Sequence, residues 1–202
     1  MTTLPGMEGA RGSGDALGRY YTPLPLAQAI ADRRLVELRR HLPALATPYV
    51  VEPSCGGGAF VVACQRAFPM AMVEALDVDP GAHGLTLSPW HAVANFLQWR
   101  PKFSVDLIIG NPPFSDIPAH IGRALHLRPR MVSYILPLDR LGRGSMMPLL
   151  FGDDERDGGL RLASVEVIHP RPWPAHVRET ACYTWLRGHD GPAVLGEPLV
   201  WR

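Results

Sequence analysis

Hydrophobic and polar positions follow two periods along this chain, and the alternation between them predicts its elements in order. Between Leu24 and Leu42, apolar residues recur near helical spacing at Leu26, Ile30, Leu35, Leu38 and Leu42, which makes an amphipathic helix with a polar outer face. Tyr20-Tyr21-Thr22-Pro23 leads into it, with Pro23 at the first helical position, where a missing N–H costs nothing, and Pro43 closes it. Short runs of branched apolar residues predict strands at 48–52, 72–77, 105–110 and 131–137, with a weaker one at 92–95. Runs such as Val105-Asp106-Leu107-Ile108-Ile109-Gly110 want both faces of a sheet covered. Helices are expected between them at 59–68 and 117–127, and two further strands at 163–169 and 181–187. The stretch 142–159, with several Gly, two Met and an acidic run, reads as a mobile loop or a reduced helix.

Strands alternating with helices, then a terminal pair of strands, argue an α/β fold. The expected architecture is Rossmann-like: a mostly parallel sheet with helices on both faces and a terminal antiparallel strand. At 202 residues there is room for one sizeable domain. Residues 1–18 are Gly-rich and lack an apolar h-region, so they read as a flexible tail ahead of a single domain over 19–202. No segment approaches the ~18 uninterrupted apolar residues of a membrane span. Cys55, Cys64 and Cys182 make an odd number with no CxxC pair, which fits a reducing, cytoplasmic setting and neither a disulfide framework nor zinc. The eight histidines show no metal-ligand spacing, so no metal is expected and their default role is structural.

Charge changes this picture little. The net charge is +1, but Arg123, His126, Arg128, Arg130, Arg140 and Arg143 cluster in one stretch, and Arg171, Arg178 and Arg187 follow. Such groups can make local, salt-sensitive phosphate contacts, or form a solvated basic face.

Candidate chemistry sits at the predicted carboxyl ends of strands, where open α/β sheets bind ligands. Asn111-Pro112-Pro113-Phe114 ends the 105–110 strand, and its prolines hold the backbone in a rigid, extended exit. Asn111 and the Pro112 carbonyl can accept both hydrogens of an exocyclic amine while Phe114 stacks on the attached ring. Glu52-Pro53-Ser54-Cys55-Gly56-Gly57-Gly58-Ala59-Phe60 is a strand–glycine loop–helix junction, and Asp77 ends the next strand, where it can meet a ribose hydroxyl pair. This pair of features fits a dinucleotide or S-adenosylmethionine. Val61 stands where a dinucleotide loop has its final glycine. Asn95 can accept from an adenine amino group while Phe96 covers the ring, or the two are a turn residue and a core residue. Arg171-Pro172-Trp173-Pro174 places a rigid indole at a sheet edge, either packed on the domain or as a second stacking face opposite Phe114.

Taken in order, YYTP, EPSCGGGAF, LDVDP, NFLQW and NPPF resemble the class I S-adenosylmethionine-dependent N6-adenine DNA methyltransferases in their gamma-type arrangement. The likeness covers about Tyr20 to Arg187. It implies a site in which Tyr21, Thr22 and Pro23 line the methionine end of S-adenosyl-L-methionine, and Glu52, Ser54, Gly56 and Gly58 shape the loop around it. Asp77 would bind the ribose and Val78 would pack near the cofactor adenine, whose amino group and face would meet Asn95 and Phe96. Asn111, Pro112, Pro113 and Phe114 would form the catalytic motif, and Trp173 would help clamp a flipped base, with Arg140 and Arg171 as further substrate contacts. The implied partner is DNA, as a flipped or single-stranded adenine, with a specificity subunit or a second copy of the chain as a further partner. The family commonly has Asp where this chain has Asn95, and its sequence-specific members carry a separate target-recognition domain that the resemblance does not extend to. The competing expectations are adenine methylation in RNA, glutamine methylation in a protein, and a catalytically silent S-adenosylmethionine-binding subunit.

Overall fold

The branched apolar runs pair into one mixed sheet in a computed structural model of the protein, which describes residues 20–44, 46–150, 159–173 and 178–201. Strands β1 (Tyr49–Glu52), β2 (Met72–Asp77), β3 (Trp90–Val93), β4 (Leu107–Gly110) and β5 (Met131–Pro137) are parallel, in the order β3-β2-β1-β4-β5. Strand β7 (Thr180–Arg187) lies antiparallel between β5 and β6 (Leu160–His169). Two-residue strands β8 (Val194–Leu195) and β9 (Leu199–Val200) run parallel to β6 and are too short to show a period in sequence. In β1 and β4 every position is buried, because alternate side chains enter opposite cores. Val50, Leu107 and Ile109 meet α1 (Leu24–His41) and α2 (Ala59–Ala67) on one face. Val51 and Ile108 meet α3 (Ile117–His126) and the one-turn helix α4 (Met147–Leu150) on the other.

Three expectations shift, and one of the two readings of 142–159 holds for its described part. The third strand occupies 90–93 and not 92–95, so Asn95 and Phe96 lie beyond its end. It is the sheet edge, and its exposed Trp90 and Val93 give no apolar alternation to read. Pro23 is the extended residue just before α1, with Leu24 the first helical residue and Pro25 in the first turn. The stretch after β5 is a reduced helix as far as it is described: 3-10 turns at Leu138–Gly142 and Gly144–Met146, then α4. Residues 151–158 and the expected tail at 1–18 lie outside the described residues. Finally, the buried face of α1 is not wholly apolar. Arg34 is 1% exposed, and its guanidinium bonds Glu166 Oε2 of β6 at 2.5 Å and the Thr184 hydroxyl of β7. Removing one partner from such a buried pair typically costs ~3–5 kcal/mol, because the other charge is stranded. Among the described residues, no helix is long and apolar enough to cross a membrane.

Candidate active site

The chain leaves β1 toward β2 and β3 on one side and returns to β4 on the other, so the β1/β4 boundary is a topological switch point where connecting loops diverge. Glu52 and Asp77 end β1 and β2, Asn111 follows β4, and Asn95 lies two residues past β3, all at one edge of the sheet. A cavity of about 480 Å³ opens there, within the ~300–1,000 Å³ typical of small-molecule sites. Tyr20, Tyr21, Ser54, Gly56, Asp77, Val78, Asn95, Phe96, His120 and the whole Asn111–Phe114 motif line it. A narrower recess of about 40 Å³, also lined by Thr22, Glu52 and Gly58, shares its Tyr20–Tyr21 and Gly56 walls.

The glycine loop is shaped by close approach. Gly58 has φ +88°, and a Cβ there would stand 2.3 Å from Leu87 Cδ1 and 2.9 Å from Gly84 Cα. Gly56 has φ +44° and faces the Tyr21 ring, and its carbonyl accepts the Gly84 N–H at 2.8 Å. The 3-10 turn His83–Leu87 therefore backs the loop, and Gly84 is a site-building residue that the sequence reading passed over. Asp77 Oδ2 accepts the Gly56 N–H at 2.8 Å and its Oδ1 accepts the Asp79 N–H at 3.0 Å. The carboxylate thus organises the loop as well as lining the cavity.

Glu52 is 2% exposed, and its Oε1 accepts the Ser54 N–H at 3.1 Å. Its carboxyl occupies the space that a Cβ on Gly110 would need, 2.4 Å from Oε1. Burial pushes its pKa up to about 8, against the lowering effect of the Ser54 N–H and with a further push from the Asp77 charge. At neutral pH it is mostly a neutral acid.

Asn111 is oriented from outside its own strand. Its Nδ2 donates to the Tyr20 carbonyl at 3.0 Å, and this leaves Oδ1 buried without any partner. A buried acceptor of this kind is rare and costs about 1–3 kcal/mol. Pro112 adds a carbonyl with no N–H beside it. Phe114 is half-buried on the cavity wall and opens the 3-10 turn Phe114–Asp116.

Trp173 is 2% exposed and stands edge-on to Phe114, with centroids 6.1 Å apart and planes at 87°. It also meets Tyr20 edge-on, and its Nε1 donates to the Tyr21 carbonyl at 3.0 Å. The structure gives no parallel slot between Trp173 and Phe114; the indole instead braces the Tyr20–Tyr21 segment. Asn95 Oδ1 accepts the Leu97 N–H at 2.9 Å, and Phe96, 1% exposed, stacks between Trp99 and His120. Val78 is 68% exposed at the rim. Thr22 and Pro23 are buried at the entry to α1. Arg140 and Arg171 do not line the cavity: Arg140 reaches the Phe114 carbonyl at 3.5 Å, and Arg171 pairs with Glu179. His120 lines it and was not among the expected residues, although its place three residues after Ile117 puts it on the buried face of the predicted helix. Among the described residues, no group of three or more His, Cys, Asp or Glu could hold a metal ion.

No protein-family model matches the chain. The Type II methyltransferase M.TthHB8I of Thermus thermophilus is 37% identical over 120 residues, which is 55% of this chain and 26% of that relative. A tRNA1(Val) (adenine(37)-N6)-methyltransferase of Vibrio cholerae is 31% identical over 81 residues, 35% of this chain and 34% of that relative. Among solved structures, the magnesium protoporphyrin IX methyltransferase of Synechocystis, with S-adenosylmethionine bound, matches with a TM-score of 0.57 at 15% identity. That match covers 81% of this chain and 80% of the other. The fold is that of the class I S-adenosylmethionine-dependent methyltransferases. In this fold the switch-point cavity is the place for a cofactor, and the glycine loop and Asp77 stand at it. The chain spans only about a quarter to a third of the length of these two curated relatives.

Proposed function

We propose that the protein transfers a methyl group from S-adenosylmethionine to the exocyclic N6 of adenine in DNA. The observation that carries this reading is the Asn111 amide on the cavity wall, held by the Tyr20 carbonyl so that its oxygen is buried and unpaired, and a rotation of the side chain presents it to an entering base. A planar NH2 group is what such an acceptor, next to the Pro112 carbonyl, is suited to receive. The residues also fit the cofactor: Gly56 lines the cavity without a side chain, Asp77 offers acceptors to a ribose diol, and Gly58, Glu52 and Thr22 line the adjoining recess. When bound, S-adenosylmethionine supplies an electrophilic methyl group.

The chain's own part is orientation. Adenine N6 is a poor nucleophile because its lone pair is delocalised into the ring. By accepting both amine hydrogens, Asn111 Oδ1 and the Pro112 carbonyl favour a pyramidal nitrogen and localise that lone pair. Phe114 supports the ring, and Trp173 and Tyr20 hold their backbone and aromatic neighbours in place. Preorganised acceptors of this kind do most of their work without reorganising during the reaction. No strong base is required, since the nitrogen becomes acidic once methylated and loses a proton to water. A duplex hides N6, so the base is taken flipped or from a single strand. Adenine in RNA is the second reading, favoured by the likeness to a tRNA adenine methyltransferase. A specificity subunit or a second copy of the chain belongs to the same proposal as a partner.

The test is incubation with methyl-labelled S-adenosylmethionine and separate DNA, RNA and protein acceptors, followed by digestion of the labelled product to nucleosides. Label in N6-methyladenine from DNA is the expected result. Label only in RNA or in protein would reassign the acceptor, and no label in any of them would leave the chain a binding subunit.

A further inference from the structure

His120 has no part in the chemistry above, yet it is 7% exposed, faces the same cavity as Asn95 and Phe96, and stacks on Phe96 with ring centroids 5.6 Å apart. Its Nδ1 is sealed from solvent and has no hydrogen-bond partner. Burial holds the imidazole below its ordinary pKa, against the opposing pull of Asp116, so the ring is neutral near pH 7. A neutral imidazole carries a single N–H, and a proton on the sealed Nδ1 would have no acceptor. Placing it on Nε2 leaves the sealed nitrogen as a bare acceptor and frees the donor for whatever enters the cavity.

We propose that His120 is a specificity-determining residue for the cofactor, donating its Nε2–H to a ring nitrogen of the adenine. This rests on the reading of the cavity as an S-adenosylmethionine site. Asn95, which lines the same cavity and precedes Phe96 in the chain, is the complementary acceptor. One lone pair of its Oδ1 is taken by the Leu97 N–H, and the other remains for the adenine amino group. An acceptor and a donor lining one cavity match an amino group next to a ring nitrogen, and they mismatch a 6-oxo purine. The sequence alone supports no such pairing, because Asn95 and His120 come from different elements on opposite sides of the Asn111 motif.

Calorimetry with S-adenosylhomocysteine on the full chain tests this, with three substitutions that separate the hydrogen bond from the stacking. His120→Phe keeps a ring on Phe96 and removes the donor. His120→Gln carries an N–H near the Nε2 position, and His120→Asn carries one near Nδ1. The expected result is a roughly tenfold loss of affinity in His120→Phe and His120→Asn, as for one neutral hydrogen bond. His120→Gln should recover most of it. The loss in His120→Phe should also vanish for whichever of the 1-deaza, 3-deaza and 7-deaza analogues lacks the nitrogen concerned. Unchanged affinity in His120→Phe, an equal loss in His120→Gln, or the same loss across all three deaza analogues would overturn the assignment. Failure of the wild-type chain to bind S-adenosylhomocysteine would instead remove the cofactor reading on which it stands. Melting temperatures of the variants identify any that fail to fold, and the ligand-side deaza comparison in wild-type protein then decides: undiminished binding of all three analogues overturns the proposal.

Discussion

In the proposed function Asn111 meets the acceptor and Asp77 the cofactor, and their substitutions should separate the two roles. Asn111→Ala removes the unpaired acceptor and should lower turnover by ~10²–10³ with cofactor affinity nearly intact. A variant keeping more than about a tenth of wild-type turnover, ~1.4 kcal/mol of barrier, would discard the role assigned to Asn111. Asp77→Ala should weaken cofactor binding by roughly 1.5–3 kcal/mol per lost charged hydrogen bond, while transfer at saturating cofactor survives. Because Asp77 also holds the Gly56 and Asp79 N–H groups, Asp77→Asn should recover part of that loss. Calorimetry beside single-turnover rates measures both.

Glu52 makes a prediction in pH. Its folded pKa is raised to about 8, so between its ordinary value of 4.5 and 8 the folded chain keeps a proton that the unfolded chain releases. The associated stability is fully present below about 4.5 and is lost as pH rises through about 8. Glu52→Gln is neutral throughout, so its melting temperature relative to wild type should climb from pH 5 to pH 9. A difference that stays flat over that range would mean Glu52 is ionised in the folded protein.

At the scale of elements, the cofactor side depends on a loop pressed against a turn. The β1–α2 loop and the His83–Leu87 turn approach so closely that a side chain on Gly58 would meet Leu87 and the Gly84 backbone, and one on Gly84 would meet Cys55. Gly58→Ala must adopt a left-handed φ and push aside Leu87 and the Gly84 backbone. Overpacking of this kind typically costs ~1–3 kcal/mol, with more from the strained φ. Urea denaturation should show that loss, and calorimetry on the folded fraction should show weakened S-adenosylhomocysteine binding. Wild-type stability in Gly58→Ala would mean that the turn moves freely away from the loop. Trp173 illustrates the same scale: of the two readings of this proline-flanked indole, the structure shows packing on the domain, buried behind the Tyr20–Tyr21 segment.

At the scale of the whole molecule, reading several base pairs needs an element that enters a groove with several side chains on base edges. The described elements other than β1–β7 and the helices α1–α3 are short: 3-10 turns, the one-turn helix α4 and the two-residue strands β8 and β9. Arginines of the turns after β5 and of the β6–β7 connection are partly committed, with Arg143 and Arg178 on Asp139 and Arg171 on Glu179. The isolated 202-residue chain is therefore expected to methylate adenine with relaxed sequence preference, or weakly until a partner supplies specificity. Sequencing the methylated positions in a random DNA pool measures this. A strict site of four or more base pairs read by this chain alone would refute it.

What the sequence determined by itself was the order of strands and helices and which polar residues stand at the strand ends. Val50-Val51 and Leu107-Ile108-Ile109 are apolar at every position because both faces of a parallel sheet are covered, and that is a local, one-dimensional signal. The same logic placed Asn111, Asp77 and the Gly56–Gly58 loop at one edge. Only the tertiary structure decided how those groups are held. Asn111 is oriented by a carbonyl 91 residues away, and Arg34 is buried by a glutamate 132 residues away. The Gly84 contact with the loop and the His120 stack on Phe96 likewise join elements that are separate in sequence. Such contacts have no period and no spacing. They arise when the sheet order sets distant segments side by side, and a buried polar atom must then find its partner in whatever the fold brings to it.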